Sequence, residues 1–371
     1  MVIAGALERK VWLPTARRVL YPNMYVLLIG GPGVGKTEAM REVHKMWDTL
    51  HELKLAPSSV SRASLIDELN EAHRSIFRPF DTDGMVRFNS LQIAATEFGT
   101  FLTQYETEFM STLNDLYDCV RYKESKRSMK DKIEIPNPQL NLIAGTTPAW
   151  LGGTLPETAW AEGFSSRLLL IYSGVRVRVD MFAERPDQSA LEKLVHEDLA
   201  AIHSMYGSFS MEPAFKELFQ GWYAKDCPPI PTHPKLEHYL PRRHIHFLKL
   251  CMVMSAARAN DYVLRVEDYQ HAMDFFLEAE GHMADVFKAV RSGADINVID
   301  EAYNFVYTIY IKEKAPVPEH RIIRFLSERM PSHSVAKVLE VMCQSGMLEV
   351  ASVGTALGGR NSYKPAAKQT F

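Results

Sequence analysis

The sequence predicts an α/β protein: a parallel sheet interrupted by a Gly-rich loop, then an all-helical region, then a small helical domain closed by a hairpin. Three observations support this. Short apolar runs alternate with stretches of helical periodicity up to about residue 180, a Gly-rich segment follows the first of those runs, and successive amphipathic helices replace the alternation after Arg185-Pro186.

Taken in chain order, Tyr25–Ile29 is a short apolar run that reads as a buried strand. Glycines follow, and then residues 38–50, where Met40, Val43, Met46 and Trp47 recur at helical spacing. Ser64, with Asp67 three residues on, opens a second helical stretch through Ala72. Residues 91–95, 140–145 and 168–172 are further apolar runs suited to parallel strands, so the sheet with helices on both faces occupies residues 1–182. Residues 183–290 hold amphipathic helices at 190–205, 213–224, 243–260 and 266–287, with a loop at Pro228-Pro229 and Pro231. In residues 291–371, helices from about 295, at 318–329 and at 334–345 precede strands at 347–353 and 361–365 around Gly358-Gly359. Three helices and a terminal hairpin predict a winged helix-turn-helix.

A chain of 371 residues, at about 150 residues per domain, accommodates these three parts. Apolar residues make up 46% and charged residues 23%, the balance of a folded globular protein and not of a disordered tail. No run reaches the roughly 20 apolar residues of a membrane span, and the Met1 end lacks a signal-peptide pattern, so a cytoplasmic protein is expected. Cys119, Cys227, Cys251 and Cys343 stand far apart without a CxxC pair, which points away from zinc sites and disulfides. A formal charge of −3 gives no global attraction to nucleic acid, so any such contact must come from a local basic patch.

The segment Gly30-Gly31-Pro32-Gly33-Val34-Gly35-Lys36-Thr37 meets GxxxxGK[ST] between a predicted strand and a predicted helix, where a phosphate loop belongs. Glycines let backbone N–H groups turn toward phosphates, the following helix adds the positive end of its dipole, and Lys36 neutralises the β- and γ-phosphates. Thr37 supplies a hydroxyl to Mg²⁺. The expected ligand is therefore a nucleoside triphosphate, ATP before others. Hydrolysis needs a group that orients or deprotonates water at the end of a neighbouring strand, and Glu97, just after residues 91–95, meets that need. Thr96 occupies the position where such sites carry a metal-associated Asp.

With residues 26–37, the segments Ala95-Thr96-Glu97-Phe98-Gly99, Leu142-Ile143-Ala144-Gly145-Thr146-Thr147-Pro148 and Phe164-Ser165-Ser166-Arg167-Leu168-Leu169-Leu170 make the chain resemble the AAA+ ATPases. The likeness is greatest to MCM-type replicative helicases and to helicase-like P-loop proteins of phages and plasmids, and it extends over most of the chain. It implies that Glu97 is the catalytic glutamate, that Thr147 senses the γ-phosphate in place of the commoner Asn, and that Arg167 is an arginine finger acting in a neighbouring subunit's site. It also implies that residues 183–290 are a lid whose Arg243, or alternatively Arg242, is a second nucleotide sensor. A finger acting in trans implies a closed ring, with six subunits as the family's usual number.

Arg121, Lys123, Lys126, Arg127, Lys130 and Lys132 form the densest basic run, set against Glu124 and Asp131. It falls between the implied catalytic glutamate and the sensor strand, where MCM-like helicases carry a hairpin that grips the DNA backbone in the ring channel. Cations there would bind phosphates without reading sequence. The third helix of the terminal domain offers Lys337 and Gln344, a weaker contact. The leading expectation is a motor that translocates on and unwinds DNA in phage or plasmid replication inside a bacterial cell. The alternative is a helicase loader or initiator that remodels a protein–DNA complex, and a protein-only AAA+ machine is the third class. The short segment ahead of residue 25 favours the loader, or a helicase working with a separate primase or replicative helicase.

Overall fold

The computed structural model describes residues 1–57, 59–77, 84–102, 106–125, 133–154, 163–176, 187–329, 332–352 and 361–366. They form a mixed α/β protein. Its main sheet has five strands, β1 (Tyr25–Ile29), β2 (His73–Phe77), β3 (Met85–Ala95), β4 (Pro138–Thr146) and β5 (Leu168–Tyr172), in the order β2-β3-β4-β1-β5. All pairings are parallel except that of the edge strand β2, which runs antiparallel to β3. Tyr25 of β1 is level with Leu142 on one side and Leu168 on the other, so β1 lies between two strands consecutive in the sheet's chain order.

β4 is buried along its whole length, which requires cover on both faces. Its apolar residues meet that demand directly, whereas Gln139 and Asn141 need partners. Ser90 Oγ donates to Gln139 Oε1 at 2.8 Å, Asn141 Nδ2 donates to Gln92 Oε1 at 2.8 Å, and Asn141 Oδ1 accepts from the Met24 N–H at 2.8 Å. A buried amide without such partners would cost about 1–3 kcal/mol.

The longer helices in the loops between these strands are α1 (Lys36–Asp48), α2 (Arg62–Glu71) and α3 (Thr107–Tyr117). The N-cap of α2 is Ser61, whose hydroxyl accepts from the Ser64 N–H at 3.2 Å, so the helix starts three residues before the position read from the Ser64/Asp67 pair. Between α3 and β4 a short antiparallel hairpin pairs Tyr122–Glu124 with Ile133–Ile135. Arg62 of α2 anchors its first arm through two hydrogen bonds to Glu124, at 3.1 and 2.8 Å.

The helical region contains α4 (Ser189–Ser204), α5 (Pro213–Tyr223), α6 (Arg243–Arg258) and α7 (Val266–Glu313). Pro213 opens α5, where its missing N–H costs nothing, and Asp268 caps the start of α7 by accepting from the Arg265 N–H at 2.8 Å. Phe215, Phe219, Trp222, Phe247, Tyr269 and Phe276 interlock in edge-to-face and stacked pairs and hold α5, α6 and α7 together. α7 is one helix where the periodicity indicated two.

The chain divides into two compact units, Met1–Phe287 and Lys288–Phe371, so the sheet and most of the helical region share the first. In the second, helices Glu319–Ser327 and Ser332–Gln344 accompany an antiparallel sheet of Val317–Pro318, Ser362–Pro365 and Leu348–Ser352, with Ser362–Pro365 in the middle. Its core includes Val306, Ile322, Leu326, Leu339, Met342, Leu348 and Tyr363. The four cysteines are free. Among the described residues no helix is long and apolar enough to cross a membrane.

Candidate nucleotide site and its charged surroundings

The glycine-rich loop of residues 30–37 begins where β1 ends. The Gly30 N–H donates to Thr146 O at 3.2 Å and fixes the loop's first residue to the end of β4. Gly33 (φ 79°) and Gly35 (φ 92°) occupy the left-handed region, where a side chain would be strained, and Gly35 is the N-cap of α1. Gly31, Pro32 and Val34 complete the turn. The loop therefore bends back on itself and delivers the chain into a helix whose first N–H groups lack intrahelical partners. Lys36 Nζ folds over the loop and donates to Gly30 O at 2.7 Å and Gly31 O at 3.0 Å. Desolvation lowers the Lys36 pKa, and the charge of Glu97 opposes that shift. Thr37 lies one residue into α1 with its surface exposed.

Glu97 follows the end of β3 at the N-terminus of the short helix Phe98–Phe101 and is exposed. A Cβ built on Gly145 of β4 would stand 2.5 Å from Thr96 O and 3.9 Å from Lys36 Cβ, so Lys36 and the residue before Glu97 flank the same strand end. Thr147 lies just beyond β4, where its hydroxyl accepts from the Trp150 N–H at 3.2 Å and caps the helix Pro148–Thr154. Lys36, Glu97 and Thr147 thus stand at the carboxyl ends of β1, β3 and β4, the edge at which open α/β sheets bind ligands. A left-handed loop, a helix N-terminus and one lysine are the donors a triphosphate calls for, and the Thr37 hydroxyl suits a Mg²⁺ ion carried by phosphates. Among the described residues no three His, Cys, Asp or Glu side chains cluster as a separate metal site.

Arg167 and Arg242 are brought together elsewhere in the same unit. Both bind Asp118, at the C-terminus of α3: Arg167 Nη2 at 2.8 Å and Arg242 Nη1 at 3.1 Å, with Arg18 Nη1 at 3.5 Å. Burial pushes the Asp118 carboxyl up, but the hydrogen bonds from Arg242 and Arg167 outweigh it and the net shift is downward. Three guanidinium groups around one carboxylate leave a local excess of positive charge. Arg243, the preferred sensor in the sequence reading, points the other way. It is 1% exposed, donates from Nε to Glu280 Oε1 at 2.7 Å and from Nη2 to Pro229 O at 2.9 Å, and also bonds Cys227 O. Its fork is committed to the helical core, against that preference; Arg242 is the more exposed of the pair, with its own fork on Asp118.

Behind this cluster, α6 is bolted to the sheet by two buried side chains. Lys249 Nζ donates to Asn23 O at 2.9 Å and Asn23 Oδ1 at 2.8 Å and lies 3.8 Å from the Tyr117 ring centroid, and burial lowers its pKa to about 7. His246 is held neutral, its pKa brought down to about 3 by burial. Its Nε2–H donates to Ser166 O at 2.8 Å and its Nδ1 accepts from the Tyr117 hydroxyl at 3.2 Å.

Of the basic run, Arg121 and Lys123 stand at the base of the hairpin and both pair with Glu134, Lys123 at 3.5 Å. Lys126, Arg127, Lys130 and Lys132 lie outside the described residues. Lys337 is exposed on Ser332–Gln344, and Gln344 donates to Glu340 at 3.0 Å.

Sequence reasoning missed Asp118, Arg18 and Arg176. Asp118 gains its partners from residues 49 and 124 positions away, and no local pattern signals that. Arg176 follows β5 and donates from Nε to Pro32 O at 2.9 Å, beside the phosphate loop. Compared with known proteins, the chain matches no family model and no curated protein.

Proposed function

We propose that the chain is an ATP hydrolase of AAA+ type that assembles into a ring, with six subunits as the expected number, and works as a motor on DNA. The observation that carries this is the glycine loop itself: Gly33 and Gly35 are left-handed, Lys36 folds over the loop's first carbonyls, and the strand end before Glu97 flanks Lys36. There the loop's N–H groups and Lys36 hold the triphosphate and Glu97 orients water against the γ-phosphorus, taking its proton as ADP leaves. The Thr37 hydroxyl would hold a Mg²⁺ ion, which would supply neutralising charge to the phosphates. On this reading Arg167, which Gly163 O and Asp118 hold in this chain, turns from them to reach a neighbouring subunit's nucleotide as the finger, and Arg242 is the lid's nucleotide sensor. On this reading the helices α4 to α7 include the lid, and the C-terminal unit, with its helices and three antiparallel strands, is a winged helix.

Support for DNA comes from the antiparallel hairpin Tyr122–Glu124/Ile133–Ile135, which brackets the lysine- and arginine-rich residues 126–132. The test is ATP turnover with and without single-stranded or forked DNA, together with strand displacement on the fork. Stimulation with displacement supports the motor, and stimulation without displacement assigns the loader or initiator reading. If Lys126, Arg127 and Lys130 are replaced by Ala, DNA affinity should fall for all sequences alike, and its salt dependence should flatten by about 0.7 per lost single-strand phosphate contact. Turnover indifferent to DNA, with no DNA binding, returns the protein-only class.

A further inference from the structure

Arg176 touches the phosphate loop from outside. The chain leaving β5 runs along it: the Ser173 N–H donates to Ile29 O at 3.0 Å, and Ser173 O comes within 2.5 Å of where a Cβ on Gly30 would stand. A second hold comes three residues later, where Arg176 Nε donates to Pro32 O at 2.9 Å. The guanidinium then lies over the bend, with Cζ 3.6 Å and Nη2 3.8 Å from a Cβ built on Gly33.

The position within the loop identifies the phosphate. The end of the loop at the α1 N-terminus belongs to the α- and β-phosphates, and the motif lysine reaches the β- and γ-phosphates. Lys36 Nζ lies on the carbonyls of Gly30 and Gly31, so the first half of the loop is the γ side. Arg176 grips Pro32 and overlies Gly33, in that half. Nε is spent on a carbonyl that orients the fork, and among the described residues the terminal nitrogens have no hydrogen-bond partner, so as exposed donors they can exchange water for an anion.

Building on the nucleotide-site reading, we infer that Arg176 is a binding residue for the terminal phosphate, supplied by the same subunit, that favours ATP over ADP. It is distinct from the arginines on Asp118. The test is equilibrium titration calorimetry with Mg·ADP and with the Mg complex of the β,γ-imido analogue of ATP, which reports binding without turnover. Arg176→Ala should weaken the imido analogue by about tenfold or more, as loss of a hydrogen bond to a charged group does, and change ADP by less than about twofold. Arg176→Lys should recover part of the loss by restoring charge without the fork. An unchanged ratio of the two affinities, or an equal loss for both nucleotides, overturns the assignment. Lys36→Ala separates the two levels. If it abolishes binding while Arg176→Ala binds like the unmodified protein, Arg176 alone is misassigned; if Lys36→Ala also binds normally, the nucleotide site itself fails and this assignment fails with it.

Discussion

Gly145 joins the two halves of the proposed catalytic pair, and replacing it with Ala tests whether their spacing matters. It lies in the buried strand β4, level with Leu28 of β1. A Cβ there would stand 2.5 Å from Thr96 O and 3.9 Å from Lys36 Cβ. The first of these is a backbone atom at the end of β3 and cannot rotate away. Reaching ordinary contact at 3.4 Å needs a displacement of about 0.9 Å (3.4 less 2.5), and the residue that moves is the neighbour of Glu97. Overpacking of this kind costs about 1–3 kcal/mol of stability. A misplacement near 1 Å in a reacting constellation costs about 10²-fold in rate. Gly145→Ala should therefore lower the urea midpoint modestly and cut ATP turnover by about 10²-fold, while nucleotide affinity, which depends on the loop and Lys36, changes far less. Urea titration followed by circular dichroism and phosphate release under saturating ATP measure the two effects. A variant of unaltered stability and turnover would refute the idea that the ends of β3 and β4 fix the distance between Glu97 and Lys36.

Glu97→Gln should retain nucleotide binding and lose about 10²-fold or more in turnover, because an amide can orient water but cannot accept its proton; survival of full activity would move the base elsewhere. Arg167→Ala should lower turnover by about 10³-fold with binding nearly intact, and mixing it with Lys36→Ala subunits should restore some activity where a sound loop meets a sound finger. No recovery at any mixing ratio would count against action in trans. His246 gives a pH signature. Its folded pKa of about 3 lies below the ordinary 6.5, chiefly through burial, with Lys249, Arg242 and His244 adding to the shift. Between those values the unfolded chain binds a proton that the folded chain does not, so stability falls as pH drops through the window. From pH 6.5 to 5 the loss from this site is about 2 kcal/mol, and His246→Gln should show a correspondingly shallower decline in urea unfolding; an identical pH profile would mean that His246 is not held neutral.

Legibility followed burial. β1, the end of β3, β4 and β5 could be read because strands covered on both faces are nearly continuous apolar runs. β2 and the first half of β3 could not: His73–Phe77 alternates exposed and half-buried positions and carries His73 and Arg74, which resembles a loop. The two-residue strands Gly207–Ser208 and Val263–Leu264 are too short to show any period. The glycine loop, Lys36 and Glu97 were visible because a local motif or a strand end marks them. Arg242 and Arg243 were not separable, since the choice depends on Glu280 and Asp118, partners distant in sequence that select which guanidinium faces the core. Arg176 was invisible for the same reason, as its contact with Pro32 exists only once β5 lies beside β1.

The loop ending in Lys36 and Thr37 is proposed to bind and hydrolyse ATP. Its most direct test is the steady-state rate of phosphate release from Mg·ATP by the purified chain, set against Lys36→Ala at the same concentration. The expected result is saturable turnover by the unmodified protein and none above background in the variant, because no other cation in the loop can take over the contact with the β- and γ-phosphates. Equal turnover in both proteins would contradict the assignment of the site.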